Sequence, residues 1–150
     1  MLSLTDVIER LNSLLRVELA AVAGYQKTLR ALKKKAVGDT DNMLRLAAEH
    51  QRTVTALQGS VQARGGAPVL AADPWEGSGA VALTDGVPPR LESKEFVSAL
   101  LEVERRGLAE YESSLTSLDE DARELVELEL IPRQRRHVAS LAAMLALLAA

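Results

Sequence analysis

LNSLLRVELAAVAGYQKTLRAL, residues 11–32, places its apolar side chains at helical spacing. Leu11, Leu15, Glu18, Val22, Tyr25, Leu29 and Leu32 follow steps of four and three, so all of them share one face of a helix. Glu18 is a carboxylate inside that apolar stripe. Burying a lone charge costs several kcal/mol or more unless it is protonated, paired or bound to a metal. The function question therefore reduces to what Glu18 faces.

Composition narrows the answer. A chain of 150 residues, 47% hydrophobic, is expected to fold as one domain with a real core over 1–150. Aromatics make up only 3%, so the core is aliphatic, and the Ala/Leu richness favours helix. A net charge of −3 with a pI near 5.5 argues against a nucleic-acid partner. The absence of cysteine excludes disulfides, thiol catalysis and thiolate metal sites. Met1–Asp6 lacks the basic start and apolar run of a signal peptide. The most apolar stretch, Leu141–Ala150, is about half the length of a membrane span. A cytoplasmic location with no membrane contact is the expectation.

Further along, four helices are predicted, at about 4–34, 40–64, 93–117 and 119–149. Ser3 and Asp6 form a capping-box-like start to the first. Lys33, Lys34 and Lys35 form its solvated C-terminal end, where cations suit the helix dipole. Gly38-Asp39-Thr40-Asp41 reads as a turn and N-cap, and Gly65-Gly66 with Pro68 stops the second helix. That second helix has the stripe Met43, Ala47, His50, Val54, Leu57, Val61. Residues 66–92 form a long crossover, which lets the third helix run parallel to the second; Trp75 is read as a plug pinning the crossover to the bundle. The third stripe is Val97, Leu101, Glu104, Leu108, Tyr111, Leu115, Leu118. Ser117 and Glu120 are spaced as a capping box for the fourth helix, and Pro132 predicts a kink or local break within it. Its later stripe is Leu130, Gln134, His137, Leu141, Met144, Leu148.

The two halves repeat. LLRVELAAVAGYQKTL (14–29) matches LLEVERRGLAEYESSL (100–115) at Leu, Leu, Val, Glu, Tyr and Leu, an offset of 86 (104 − 18). For the second helices the offset is 87 (137 − 50), one residue of slack in a turn. The chain has two His and two Tyr in all, and the repeat uses every one of them. This gives an all-α four-helix bundle of two hairpins, about 3–65 and 93–150, joined by the crossover.

The sequence resembles the ferritin-like superfamily. It is most similar to a bacterial family of ferritin-like four-helix bundles of unknown function. The resemblance rests on DVIERLNSLLRVELAAVAGY (6–25), AAEHQRTVTAL (47–57), QARGGAP (62–68) and the Glu/Tyr third helix, and is weakest across Ala72–Leu91. Ferritin-like di-iron proteins use one Glu on each of two helices and Glu-x-x-His on each of the others. By that resemblance Glu18 and Glu104 occupy the single-Glu positions. The paired motif departs from the pattern: Glu49 stands beside His50 with Arg52 three residues after the Glu, and Gln134-x-x-His137 carries Gln in the Glu slot. A mononuclear site, or none, fits better than a full di-iron site.

Two functions compete. In the first, Glu18, His50, Glu104 and His137 are ligands to iron, manganese or zinc, with Glu49 and Gln134 as extra ligands and Tyr25 and Tyr111 as hydrogen-bonding partners behind them. A role in stress or redox handling follows from the family analogy alone. In the second, no metal binds, the cluster is a buried hydrogen-bond network, and the bundle acts as a homodimer or by binding a partner. Arg133, Arg135 and Arg136 read as a solvated face, with an anion contact as the alternative. Counting from the predicted turns places Glu104 level with His137, but His50 nearer Tyr25 than Glu18.

Overall fold

The structure is a computed structural model and describes residues 2–32, 40–72 and 93–149. Lys33–Lys35, the Gly38-Asp39 turn and Trp75 lie outside the described residues. Helix α1 spans Leu4–Leu32, α2 Thr40–Ala63 and α3 Ser93–Ser114. A single 3₁₀ turn, Leu115–Ser117, leads to α4, Glu120–Leu125. A π-helical segment, Val126–Leu130, continues directly into α5, Ile131–Ala149. The four predicted helices are thus present, the fourth being α4, the π segment and α5 end to end.

The caps follow from the residues at each boundary. At α1, Ser3 Oγ accepts from the Asp6 N–H at 3.1 Å and the Ser3 N–H donates to Asp6 Oδ2 at 3.2 Å, the reciprocal bond expected. At the end of α2, Gly65 has φ +78, the Gly65 N–H donates to the Gln62 carbonyl and the Gly66 N–H to the Val61 carbonyl. That is a Schellman ending, which needs a residue tolerant of left-handed backbone. Gly66 is needed for a second reason: a Cβ there would stand 2.8 Å from Ile8 Cγ2. The Ser117–Glu120 box predicted for the fourth helix does not form. Ser117 is spent in the 3₁₀ turn, Leu118 is extended, and Asp119 is the cap, accepting from the Ala122 N–H at 3.0 Å. Asp119 also takes both Nε and Nη2 of Arg64, at 2.8 and 2.6 Å, tying the end of α2 to the start of α4.

Pro132 acts as a local widening and does not break the helix. It has no N–H to offer the Leu128 carbonyl, and its ring crowds that carbonyl. The backbone answers with longer hydrogen bonds: the Ile131 N–H donates to the Val126 carbonyl, five residues back.

Helices α1 and α2 pack as one hairpin, α3 and α5 as the other, and α1 packs on α3. The core has two apolar parts. One gathers Tyr25, Leu32, Met43, Leu46, Val97, Leu100 and Leu141; the other gathers Leu11, Leu15, Val54, Leu57, Tyr111, Val126 and Leu130. Since α2 begins in the first part and ends in the second, as α3 does, these two helices run parallel, the direction the long crossover permits. Between the two parts lies a polar layer: Glu18, His50, Glu104, Gln134 and His137, each no more than 4% exposed. Leu148, placed on the inward stripe by spacing, is 39% exposed near the end of α5. Among the described residues no helix is long and apolar enough to cross a membrane.

Candidate metal centre

Four helices each contribute one member of the predicted quartet, and the structure brings all four together. His50 is the hub. Its Nδ1 lies 2.6 Å from Glu18 Oε2, and its Nε2 bonds Glu104 Oε1. Both partners are acceptors, so both ring nitrogens donate and the ring is an imidazolium. Burial alone would lower its pKa, but the Glu18 and Glu104 carboxylates outweigh burial and push it up to about 10. Burial would likewise raise Glu104, but the His50 and His137 rings hold it down to about 2.

The tyrosines cross between hairpins. Tyr25 on α1 donates to Glu104 Oε1 on α3 at 2.8 Å. Tyr111 on α3 donates to Glu18 Oε1 on α1. Burial, followed by the adjacent carboxylates, holds both phenols well above their ordinary range, so each stays a donor. The expected partnership of Tyr25 and Tyr111 with the two glutamates is therefore made, in the crossed sense.

His137 is less well served. Its Nε2 donates to Glu49 Oε1 at 3.0 Å, while its Nδ1 is buried without a hydrogen bond, 3.4 Å from Glu104 Oε2. Glu104 Oε2 is instead taken by Gln134, whose Nε2 donates to it at 2.7 Å and to the Glu104 carbonyl at 2.9 Å. The His50 and His137 rings stand 4.6 Å apart between centroids. Ligand atoms of His50, Glu104 and His137 all lie within 4.8 Å of one another.

Glu49 marks the outer edge, its side chain 16% exposed. Its Oε2 meets Arg45 at 3.3 Å. Partial burial works against its charge, but the His137 bond and the Arg45 and Arg133 guanidiniums hold its carboxyl below the usual value. Arg133 reaches from α5 to α2, its Nη1 donating to Thr53 Oγ1 at 2.8 Å. Arg133 thus has a role beyond the solvated face expected of it.

One expectation fails in detail. His50 sits against Tyr25, ring to ring at 5.3 Å, but its Nδ1 bonds Glu18 as well. Counting residues from a turn locates Cα atoms, and a glutamate side chain reaches several ångströms from its own. Two other residues escaped the sequence reading. Thr53 carries no signal in spacing. Gly107 does: a glycine in a helix interior costs about 1 kcal/mol relative to alanine, which calls for a packing reason. A Cβ at Gly107 would stand 2.8 Å from Gln134 Nε2, so the glycine makes room for the amide that holds Glu104.

The whole architecture overlays on a solved protein. Bacterioferritin from Rhodobacter capsulatus matches with a TM-score of 0.78, covering 98% of this chain and 88% of that one, at 22% identity. The fold is ferritin-like. The bacterioferritin structure is described as having a metal-free dinuclear site and a haem iron at a crystallographic special position. A scan of protein-family models and a search of curated proteins find no match to this chain.

Proposed function

We propose that this ferritin-like bundle binds a transition metal in its polar layer, held by His50, Glu104 and His137, with Glu18 and Glu49 as adjoining carboxylates. The observation that carries the reading is His137 Nδ1. It is buried and aimed into the cluster without a hydrogen-bond partner, a condition rare in folded proteins. The Nε2 bond to Glu49 fixes the ring so that Nδ1 faces Glu104 Oε2 at 3.4 Å, where it is placed to take a metal as a ligand. Donors sharing one ion lie at most about 4.2 Å apart when each is about 2.1 Å from it. The ligand atoms here lie within 4.8 Å of one another, close to that limit. Two imidazoles and a carboxylate suit iron, manganese or zinc. The likeness to a bacterioferritin supports a metal in a fold of this kind.

The chain's own residues prepare the place. Tyr25 and Gln134 orient Glu104, Tyr111 orients Glu18, and the apolar parts on either side keep water out. His50 must give up a ring proton to become a ligand, so binding releases protons. Iron or manganese, when bound, supplies one-electron redox chemistry, and a role in stress or redox handling in the cytoplasm rests on that. Elemental analysis with an absorption spectrum tests the proposal. Protein from cells supplied with iron, manganese and zinc is expected to carry near-stoichiometric metal, lost in Glu104→Ala and His137→Ala. A folded wild-type protein without metal overturns it.

A second reading has its own support. Among the buried polar atoms of the cluster, all but His137 Nδ1 have partners without any ion. On this reading the layer is a hydrogen-bond network and the bundle works as a homodimer or with another protein. The metal-free outcome above is the one it requires.

A further inference from the structure

We infer that Gln134, seated over Gly107, limits this centre to one divalent ion. The inference rests on the metal-binding reading above and goes beyond it by fixing how many ions the layer accepts.

Gln134 Nε2 faces two oxygens that can only accept, the Glu104 carbonyl and Glu104 Oε2, so its NH₂ group is the end that points at the cluster. An amide NH₂ has no lone pair to give a metal. It also occupies Glu104 Oε2, and Glu104 Oε1 already receives Tyr25 and His50. A carboxylate that bridges two ions must offer one oxygen to each. Glu104 has one side held by a neutral donor that no incoming cation displaces without leaving one of the buried amide's two hydrogens without an acceptor.

Glu18 and Glu104 bring two negative charges to the buried layer. Glu49 sits at the edge, its charge met by Arg45 at 3.3 Å and by the nearby Arg133. One divalent ion balances the two buried carboxylates. A second would leave two positive charges uncompensated where solvent does not reach, which burial penalises heavily. A glutamate at 134 would supply a ligand oxygen and halve that excess of positive charge.

A Cβ at Gly107 would stand 2.8 Å from Gln134 Nε2, so a larger residue there would push the amide off its place on Glu104. The glycine and the glutamine form a matched pair that places the donor on Glu104.

Native mass spectrometry after loading with zinc(II), then manganese(II), and dialysis counts ions on folded molecules directly. Wild type is expected to hold one ion. Gln134→Glu is expected to rise from one to two, and Gln134→Met, which removes the donor without adding charge, to stay at one. Two ions on wild type overturn the inference and leave the metal-binding reading standing. One ion on folded Gln134→Glu also overturns it. No ion on wild type overturns the metal-binding reading and the inference with it. Should Gln134→Glu fail to fold, the wild-type count decides by itself.

Discussion

The two hairpins place the same residue types on their inner faces and use them differently. In the first, Glu18 and His50 bond each other at 2.6 Å. In the second, Glu104 and His137 stand 3.4 Å apart without a hydrogen bond. Position 134 accounts for this. At the offset of 87, Gln134 corresponds to Ala47, and at the offset of 86, Gly107 corresponds to Ala21. Where the first hairpin has two small side chains of equal size, the second trades one down and the other up. The enlarged member then takes Glu104 Oε2. Glu49, which corresponds to Arg136, gives His137 a partner only on the outer side. A frame built from matched halves thereby holds an unsymmetrical site. Its candidate ligands gather around Glu104, while Glu18 stays paired with His50 and Tyr111.

The largest test of this difference removes each glutamate in turn. Glu104→Ala strips acceptors from Tyr25, His50 and Gln134 and is expected to destabilise the metal-free protein by about 3–5 kcal/mol in denaturant titration. Glu18→Ala leaves His50 still bonded to Glu104, so a loss of about 2–3 kcal/mol is expected. Equal losses would mean the hairpins are energetically equivalent.

Acidity sharpens the comparison, because Glu104 and His50 shift in opposite directions. Glu104 is lowered from 4.5 to about 2, so its contribution is complete above 4.5 and is lost as pH falls toward 2. His50 is raised from 6.5 to about 10, so its contribution is complete below 6.5 and is lost as pH rises through 10. The metal-free protein is therefore expected to have its highest thermal midpoint between pH 4.5 and 6.5, with a fall on each side. A midpoint still climbing from pH 6.5 to 9 would show that the His50 pairing is not formed.

Where the hairpins do match, the effects are expected to match. Tyr25→Phe and Tyr111→Phe each remove one phenol-to-carboxylate bond and are expected to cost about 1.5 kcal/mol apiece, equal within error. In wild type neither phenol is expected to ionise before alkaline unfolding, which tyrosinate absorbance reads directly. The smallest effect lies away from the layer. Asp119→Ala removes the α4 cap and the Arg64 partner, a loss of about 1 kcal/mol, with the metal content unchanged.

The four stripes were legible because burial on a helix has a period, and Glu18, His50, Glu104 and His137 fall on it. That each tyrosine serves the other hairpin's glutamate was not legible. Helical spacing tells which face a side chain takes and says nothing about which of three neighbouring helices it meets. The cap at Asp119 was missed for a related reason: Ser117–Glu120 has the right spacing, but the extended Leu118 moves the helix start beyond it.

The amino-acid sequence on its own determined that this chain makes helical hairpins with acidic, imidazole and phenolic groups turned inward. It did so because a repeated apolar stripe has only one way to hide. Tertiary structure alone decided which of those groups share protons and which nitrogen is left over. Hydrogen bonds depend on ångström distances between atoms far apart in the chain, and only packing sets those. His137 Nδ1 has no signature in the sequence, and the proposed centre turns on it.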